Sequence, residues 1–149
     1  MKLGDYLAKE LVLPEMLSET KSDILKELIT PLGDKYPEMD TDLAVRVLLD
    51  REKLGTTGIG DGIAIPHGKL ENLDKIVVIV GRSLQGVEFD ALDHQPCSIF
   101  FLVLAPEQAA GMHLRILAQI SRLLKDETFR QSFLEADSID ELWGLLKGV

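Results

Sequence analysis

Residues 55–68, GTTGIGDGIAIPHG, hold five glycines and a proline in fourteen positions, a density that regular helix does not tolerate. The stretch reads as a loop with a short strand at 63–65. Upstream of it, Ile24, Leu25, Leu28, Ile29 and Leu32 recur at helical spacing from Ser22, with Gly33 as the expected stop. A second helix is expected from Asp40, with Leu43, Ala44, Val47, Leu48 and Leu54 on its apolar face. Arg51 and Glu52 fall in its last turns and Gly55 is placed to end it. Downstream, 76–80 and 99–104 are short β-branched or apolar runs suited to buried strands, with turns and edge structure across 86–96. After Pro106, His113, Leu117, Ile120 and Leu124 share one helical stripe, which puts His113 on the buried side. Residues 126–136 are helical again, and Ser138 with Glu141 has capping-box spacing ahead of Leu142, Trp143, Leu145 and Leu146. Helices on both sides of the strands in chain order predict an α/β layer structure in one domain, 1–149, without internal repeat or linker.

A chain of 149 residues is near the modal size of one domain and buries about 70% of its unfolded surface. Its 46% hydrophobic and 28% charged residues exclude disorder as the main state. With 16 basic against 25 acidic residues the net charge is −9, which repels a polyanion over most of the surface, so no nucleic acid partner is expected. The lone Cys97 closes no intrachain disulfide and supplies no multi-cysteine zinc cluster. Asp5, Lys9 and Glu10 interrupt any apolar leader, and a cytoplasmic location is expected. The longest uncharged apolar run, 99–105, is far short of the ~20 residues a spanning helix needs, so no membrane insertion is expected.

Three histidines are candidates for chemistry. His67 follows the glycine-dense stretch and the rigid Pro66, in a backbone setting where main-chain N–H groups approach an anion closely. That setting suits a phosphoryl group; the plainer alternative is a hydrogen-bonded turn histidine. The stretch fails the P-loop pattern at Ile63 and Leu70 and the dinucleotide fingerprint at Ile63, so neither ATP nor NAD has a binding motif. His113 reads first as a structural histidine. Buried and neutral, it could also donate a ring N–H to a phosphoryl oxygen or hold His67 in one tautomer. Arg51 offers a planar fork to phosphate oxygens, with a solvated salt bridge as its alternative. His94 looks like a turn residue and Cys97 like packing. The three histidines with Asp61, Asp90 or Asp93 make only a poor metal site, and no metal is assigned.

The run DREKLGTTGIGDGIAIPHGK, residues 50–69, closely resembles the fructose/mannitol-type IIA components of the bacterial phosphoenolpyruvate-dependent phosphotransferase system. Within them the nearest branch is the nitrogen-regulatory IIA proteins, which Phe89-Asp90-Ala91-Leu92-Asp93, Gln95-Pro96 and His113-Leu114 also resemble. The resemblance implies a single-domain mixed β-sheet with α-helices on both faces, as in mannitol IIA. It implies a phosphotransferase that works as a histidine phosphoryl carrier, without a cofactor. His67 would be the nucleophile that accepts the group from an HPr- or NPr-type phosphocarrier. By the same analogy His113 would orient or stabilise the phosphorylated ring and Arg51 would neutralise phosphoryl charge. Thr57 and the amides of Gly58, Gly60 and Gly68 would contact the same oxygens. Asp61 stands where the family has asparagine, and no role is carried to His94. Nothing in the chain resembles the IIB cysteine module or the IIC permease, so the resemblance implies a free-standing IIA. Its output would be regulation through its phosphorylation state, on targets such as potassium-transport or sensor-kinase proteins. The alternatives are a sugar-transport IIA serving a separate IIB component, an interaction regulator whose histidine is not phosphorylated, and a metal-dependent hydrolase.

Overall fold

The structure, a computed structural model, describes residues 2–149. In chain order the elements are β1 (Val12–Leu13), α1 (Lys21–Lys35), α2 (Thr41–Lys53), β2 (Gly58–Gly60), β3 (Ile63–Ala64) and β4 (His67–Lys69). They are followed by β5 (Val77–Val87), β6 (Cys97–Ala105), α3 (Ala110–Leu124), α4 (Glu127–Glu135) and α5 (Ile139–Leu146). The strands make one sheet in the order β1-β5-β6-β3-β2, with β4 also on β6. The β5–β6 and β2–β3 pairs are antiparallel, whereas β1 runs parallel to β5 and both β3 and β4 run parallel to β6. This is the mixed sheet expected, and helices cover both its faces.

Strand β6 shows why its sequence is an unbroken apolar run. Phe100, Leu102 and Leu104 pack with Leu25, Leu28 and Leu48 from α1 and α2, while Ile99, Phe101 and Val103 pack with Ile116, Ile120 and Leu142 from α3 and α5. Both phases of the strand are buried, so alternation disappears. Each such side chain contributes about 1.5–3 kcal/mol when taken from water. Among the described residues no helix is long and apolar enough to cross a membrane.

Residues 55–68 are more ordered than a loop. Ile63 and Ala64 pair with Ile99 and Phe100, and His67, Gly68 and Lys69 with Val103, Leu104 and Ala105. The offset along β6 is the same for both, so β3 and β4 are one strand interrupted at Ile65-Pro66, where proline has no N–H to give. Gly60 (φ 107°), Asp61 (φ 57°) and Gly62 (φ 77°) turn the chain between β2 and β3. The glycine density therefore serves a tight hairpin and an edge strand.

Other boundaries moved for identifiable reasons. Helix α1 continues past Pro31 and Gly33 to Lys35. A Cβ on Gly33 would lie 2.9 Å from Thr41 Cγ2, so this glycine marks a close helix contact and not a stop. Leu54 lies beyond α2 and is 85% exposed, against its expected place on the apolar face. Strand β5 runs to Val87 because Arg82 and Ser83, which broke the apolar pattern, are buried within it. Arg82 donates to the carbonyls of Pro14 (2.9 Å), Phe133 (2.9 Å) and Ala136 (2.7 Å), clamping the end of α4 to the sheet. Ser138 caps α5 as expected, accepting Glu141 N–H at 3.1 Å, while the Glu141 carboxylate takes Asp137 N–H at 2.8 Å.

Gly68 sets how closely α2 approaches β4: a Cβ there would stand 2.7 Å from Val47 Cγ1. Gly68→Ala is expected to destabilise the fold by about 1–3 kcal/mol through overpacking. Adding Val47→Ala should restore most of that loss, as read from urea midpoints; penalties that simply add would show the two sites do not touch.

Candidate functional site

His67, Arg51 and His113 meet at an open depression of about 680 Å³ between α2 and α3, floored by β4. Three local features converge there. The break at Pro66 restarts the strand with His67 at the free edge, the last turns of α2 carry Arg51, and the buried stripe of α3 begins at His113. Leu54 and Leu114, 85% and 68% exposed, stand on its rim.

His67 is half-buried and its Nδ1 lies 2.8 Å from the Ile65 carbonyl oxygen. A carbonyl only accepts, so Nδ1 carries the proton and Nε2 keeps its lone pair. The Ile65 carbonyl, and not His113, fixes the tautomer. His113 is 6% exposed and stands edge-on to His67, with ring centroids 5.7 Å apart and planes at 77°. Its Nε2 is buried and has no hydrogen-bond partner among the described residues. Burial lowers the proton affinity of both rings. For His67, Arg51 adds to this, while the Ile65 carbonyl and Glu52 oppose it. For His113, the charges of His67 and Lys69 add to it. The site thus presents two neutral imidazoles to whatever enters.

Arg51 makes no ion pair among the described residues; it donates from one guanidinium nitrogen to the Gly55 carbonyl at 2.9 Å. The salt bridge weighed from the sequence is replaced by a tie across the end of α2. Lys69 follows His67 by two positions along β4 and also lines the depression.

Of the loop residues expected near phosphate, Gly68 lines the depression and Thr57, Gly58 and Gly60 do not. Gly58 and Gly60 are paired into the hairpin with β3, and Gly58 N–H also donates to the Thr56 hydroxyl oxygen at 3.1 Å. Thr57, 4% exposed, gives its N–H (3.0 Å) and its hydroxyl to the carboxylate of Glu52. Glu52 is 8% exposed, and Lys21 Nζ reaches it at 3.1 Å. Sequence reading placed Glu52 in the last turns and gave it no role. Its spacing was the available signal: Ala44, Leu48 and Glu52 follow one another every four residues on the buried side of α2.

His94 sits at an exposed left-handed turn (φ 60°) and is not part of the depression. Among the described residues no three His, Cys, Asp or Glu side chains gather as metal ligands. Cys97 is fully buried and its thiol is pushed up to about 11, first by burial, so it packs and does not react.

The sequence matches, over residues 5–149, the family described as phosphoenolpyruvate-dependent sugar phosphotransferase system, EIIA 2. It is 37% identical over 146 residues to a nitrogen regulatory protein of Bradyrhizobium diazoefficiens, covering 98% of this chain and 95% of that protein. Its fold is similar to the crystal structure of the nitrogen regulatory protein IIA-Ntr from Neisseria meningitidis, with a TM-score of 0.89 and 30% identity over 97% of this chain and 98% of that one. It is also similar to the mannitol IIA enzyme solved in complex with phosphorylated mannitol IIB from Escherichia coli, with a TM-score of 0.74 and 26% identity over 96% and 98% of the two chains.

Lowered imidazole affinities make stability depend on pH with a definite sign. Both rings bind fewer protons folded than at their ordinary value of 6.5, so stability is full above that value and declines as pH falls through it. The urea midpoint should therefore drop between about pH 7.5 and 5.5, and His113→Leu should flatten that drop; an unchanged slope in the variant would place the linkage elsewhere.

Proposed function

The chain belongs to the EIIA 2 family of the phosphoenolpyruvate-dependent sugar phosphotransferase system, whose members carry phosphoryl groups, and from that premise we propose that this carrier takes the group on Nε2 of His67. The observation that carries the reading is the Ile65 carbonyl held 2.8 Å from Nδ1, which leaves the Nε2 lone pair as the ring's free nucleophile at the edge of an open depression.

The donor is an HPr- or NPr-type phosphocarrier bearing a phosphohistidine. The His67 Nε2 lone pair attacks phosphorus as the donor's P–N bond breaks, and that bond's electron pair returns to the donor ring. No proton need move: the His67 ring gains positive character that its Nδ1–H shares with the Ile65 carbonyl. Phosphoryl transfer of this kind depends on in-line placement and charge stabilisation more than on covalent help from the protein. Arg51 keeps donors free beyond its tie to Gly55. Protonated at Nε2, neutral His113 would offer a phosphoryl oxygen an N–H that has no partner among the described residues. The apolar rim at Leu54 and Leu114 suits a protein surface closing over the site and excluding water.

The likeness to nitrogen regulatory proteins over nearly the whole chain favours regulation as the output, with targets such as potassium-transport or sensor-kinase proteins. The mannitol pair supports a second reading, in which His67 passes its phosphoryl group to a separate IIB component.

With phosphoenolpyruvate, the first enzyme of the system and an HPr-type donor, the wild-type protein should gain one acid-labile phosphate. His67→Ala should gain none, and Arg51→Met should gain it roughly a hundredfold more slowly. Acid-labile phosphate that persists in His67→Ala would move the acceptor to another residue.

A further inference from the structure

Three hydrogen bonds beneath His67 pass by way of Ile65 and Thr57 to a buried carboxylate. Thr57 and Ile65 lie directly opposite each other, one step beyond the Gly58–Ala64 pair of the hairpin. Residues so placed can exchange two bonds, each N–H to the other's carbonyl. Here one is made: Ile65 N–H donates to the Thr57 carbonyl at 3.0 Å. The return bond is missing, because Thr57 N–H goes instead to Glu52 Oε1, also at 3.0 Å. The Ile65 carbonyl is thereby left for His67 Nδ1–H at 2.8 Å.

We propose that Glu52 is a positioning residue for His67: by taking the Thr57 N–H it leaves the Ile65 carbonyl to His67 alone, which strengthens the hold on the Nδ1 proton and so keeps Nε2 open as the phosphoryl acceptor. This deepens the reading of His67 given above and rests on it. The charge of Glu52 acts in the same direction. It acts through space, raising the proton affinity of the His67 ring in surroundings where water screens little. A carboxylate that bonds an imidazole directly holds its tautomer and stabilises the cation formed during reaction. Glu52 does both at one remove, and Lys21 at 3.1 Å moderates its charge.

The other charged or titratable groups that face His67 are Asp50 and Arg51 on α2, Lys69 on β4 and His113 on α3. Substitutions at 52 and 21 leave all of them in place. Nitrogen-15 NMR of the unphosphorylated, full-length protein reads the tautomer and titration of each ring without any donor protein. Wild type should show His67 as the Nδ1–H tautomer. Glu52→Leu continues the apolar stripe of Ala44 and Leu48, and there Thr57 N–H can turn to the Ile65 carbonyl; the His67 signal should shift toward the Nε2–H tautomer while His113 does not. Phosphoryl uptake should slow by roughly tenfold or more, the equivalent of one charged hydrogen bond. Glu52→Gln keeps an acceptor for Thr57 but removes the charge, so His67 should titrate lower than in wild type. Lys21→Met leaves the carboxylate less compensated, so His67 should titrate higher.

A folded Glu52→Leu with the wild-type tautomer would overturn the proposal. If that variant does not fold, the opposed shifts of Glu52→Gln and Lys21→Met decide, and a His67 titration unmoved in both would overturn it. A wild-type protein that accepts no phosphate defeats the carrier reading instead and leaves the tautomer measurements standing.

Discussion

The pairing of residues 63–69 along β6 is the constraint from which the site follows. Because Ile63 opposes Ile99 and His67 opposes Val103 in one register, the position of His67 is set by the most deeply buried strand of the molecule. Among the described residues no strand pairs on the far side of β4, so a ring carried there lies at the seam between the two helix layers. Helix α2 reaches the seam from one face, bringing Asp50 and Arg51, and α3 from the other, bringing His113. The three residues are sixteen and forty-six positions apart in sequence, and only this register makes them neighbours. A rigid strand is also a better mount than a loop for a nucleophile that must meet its partner in line.

Much of this was legible before any coordinates, and the parts that were not share a cause. Apolar periodicity identified the helices and both central strands, because burial on one stripe or on both faces leaves a pattern that residue type alone reveals. It failed where polar residues are buried for their hydrogen bonds. Arg82 ended the apparent strand early although it is buried in β5, where its guanidinium holds the carbonyls of Pro14, Phe133, Leu134 and Ala136. Glu52 completed the buried stripe of α2 yet was given no role. Glycine misled in the same way: at 55–68 it signalled a loop, and at Gly33 a helix stop, whereas the chain uses it for a tight hairpin and for close helix contact. The site was readable as His67, Arg51 and His113. Thr57, Gly58 and Gly60 were expected at phosphate from the family resemblance; they lie off the depression, with Thr57 bonded to Glu52 and the two glycines paired in the hairpin.

The electrostatics of the molecule separate into two scales. Over the whole chain the charge is −9, which favours encounter with a partner that presents a basic face. Inside the depression the local balance is reversed, with Arg51 and Lys69 beside two imidazoles that burial keeps neutral. For the carrier proposed above, neutrality is the useful state for both rings. A protonated His67 would have no lone pair to offer, and a permanently charged His113 would hold the phosphoryl group so firmly that handing it on would slow.

Glu52 shows the tension between stability and function most clearly. A buried carboxylate costs several kcal/mol to desolvate, and a well-packed apolar side chain at such a place is often the more stable choice. Its partners here, the Thr57 N–H and hydroxyl and the Lys21 ammonium, satisfy the charge, which explains why it can persist. They do not explain why the position is polar at all, since leucine would extend the stripe of Ala44 and Leu48 without needing partners. The missing return bond between Thr57 and Ile65 supplies the reason. A hairpin closed by both bonds would be the more regular structure, but its Thr57 N–H would compete for the one carbonyl that orients His67, and on the proposed reading the irregularity keeps that carbonyl for the ring.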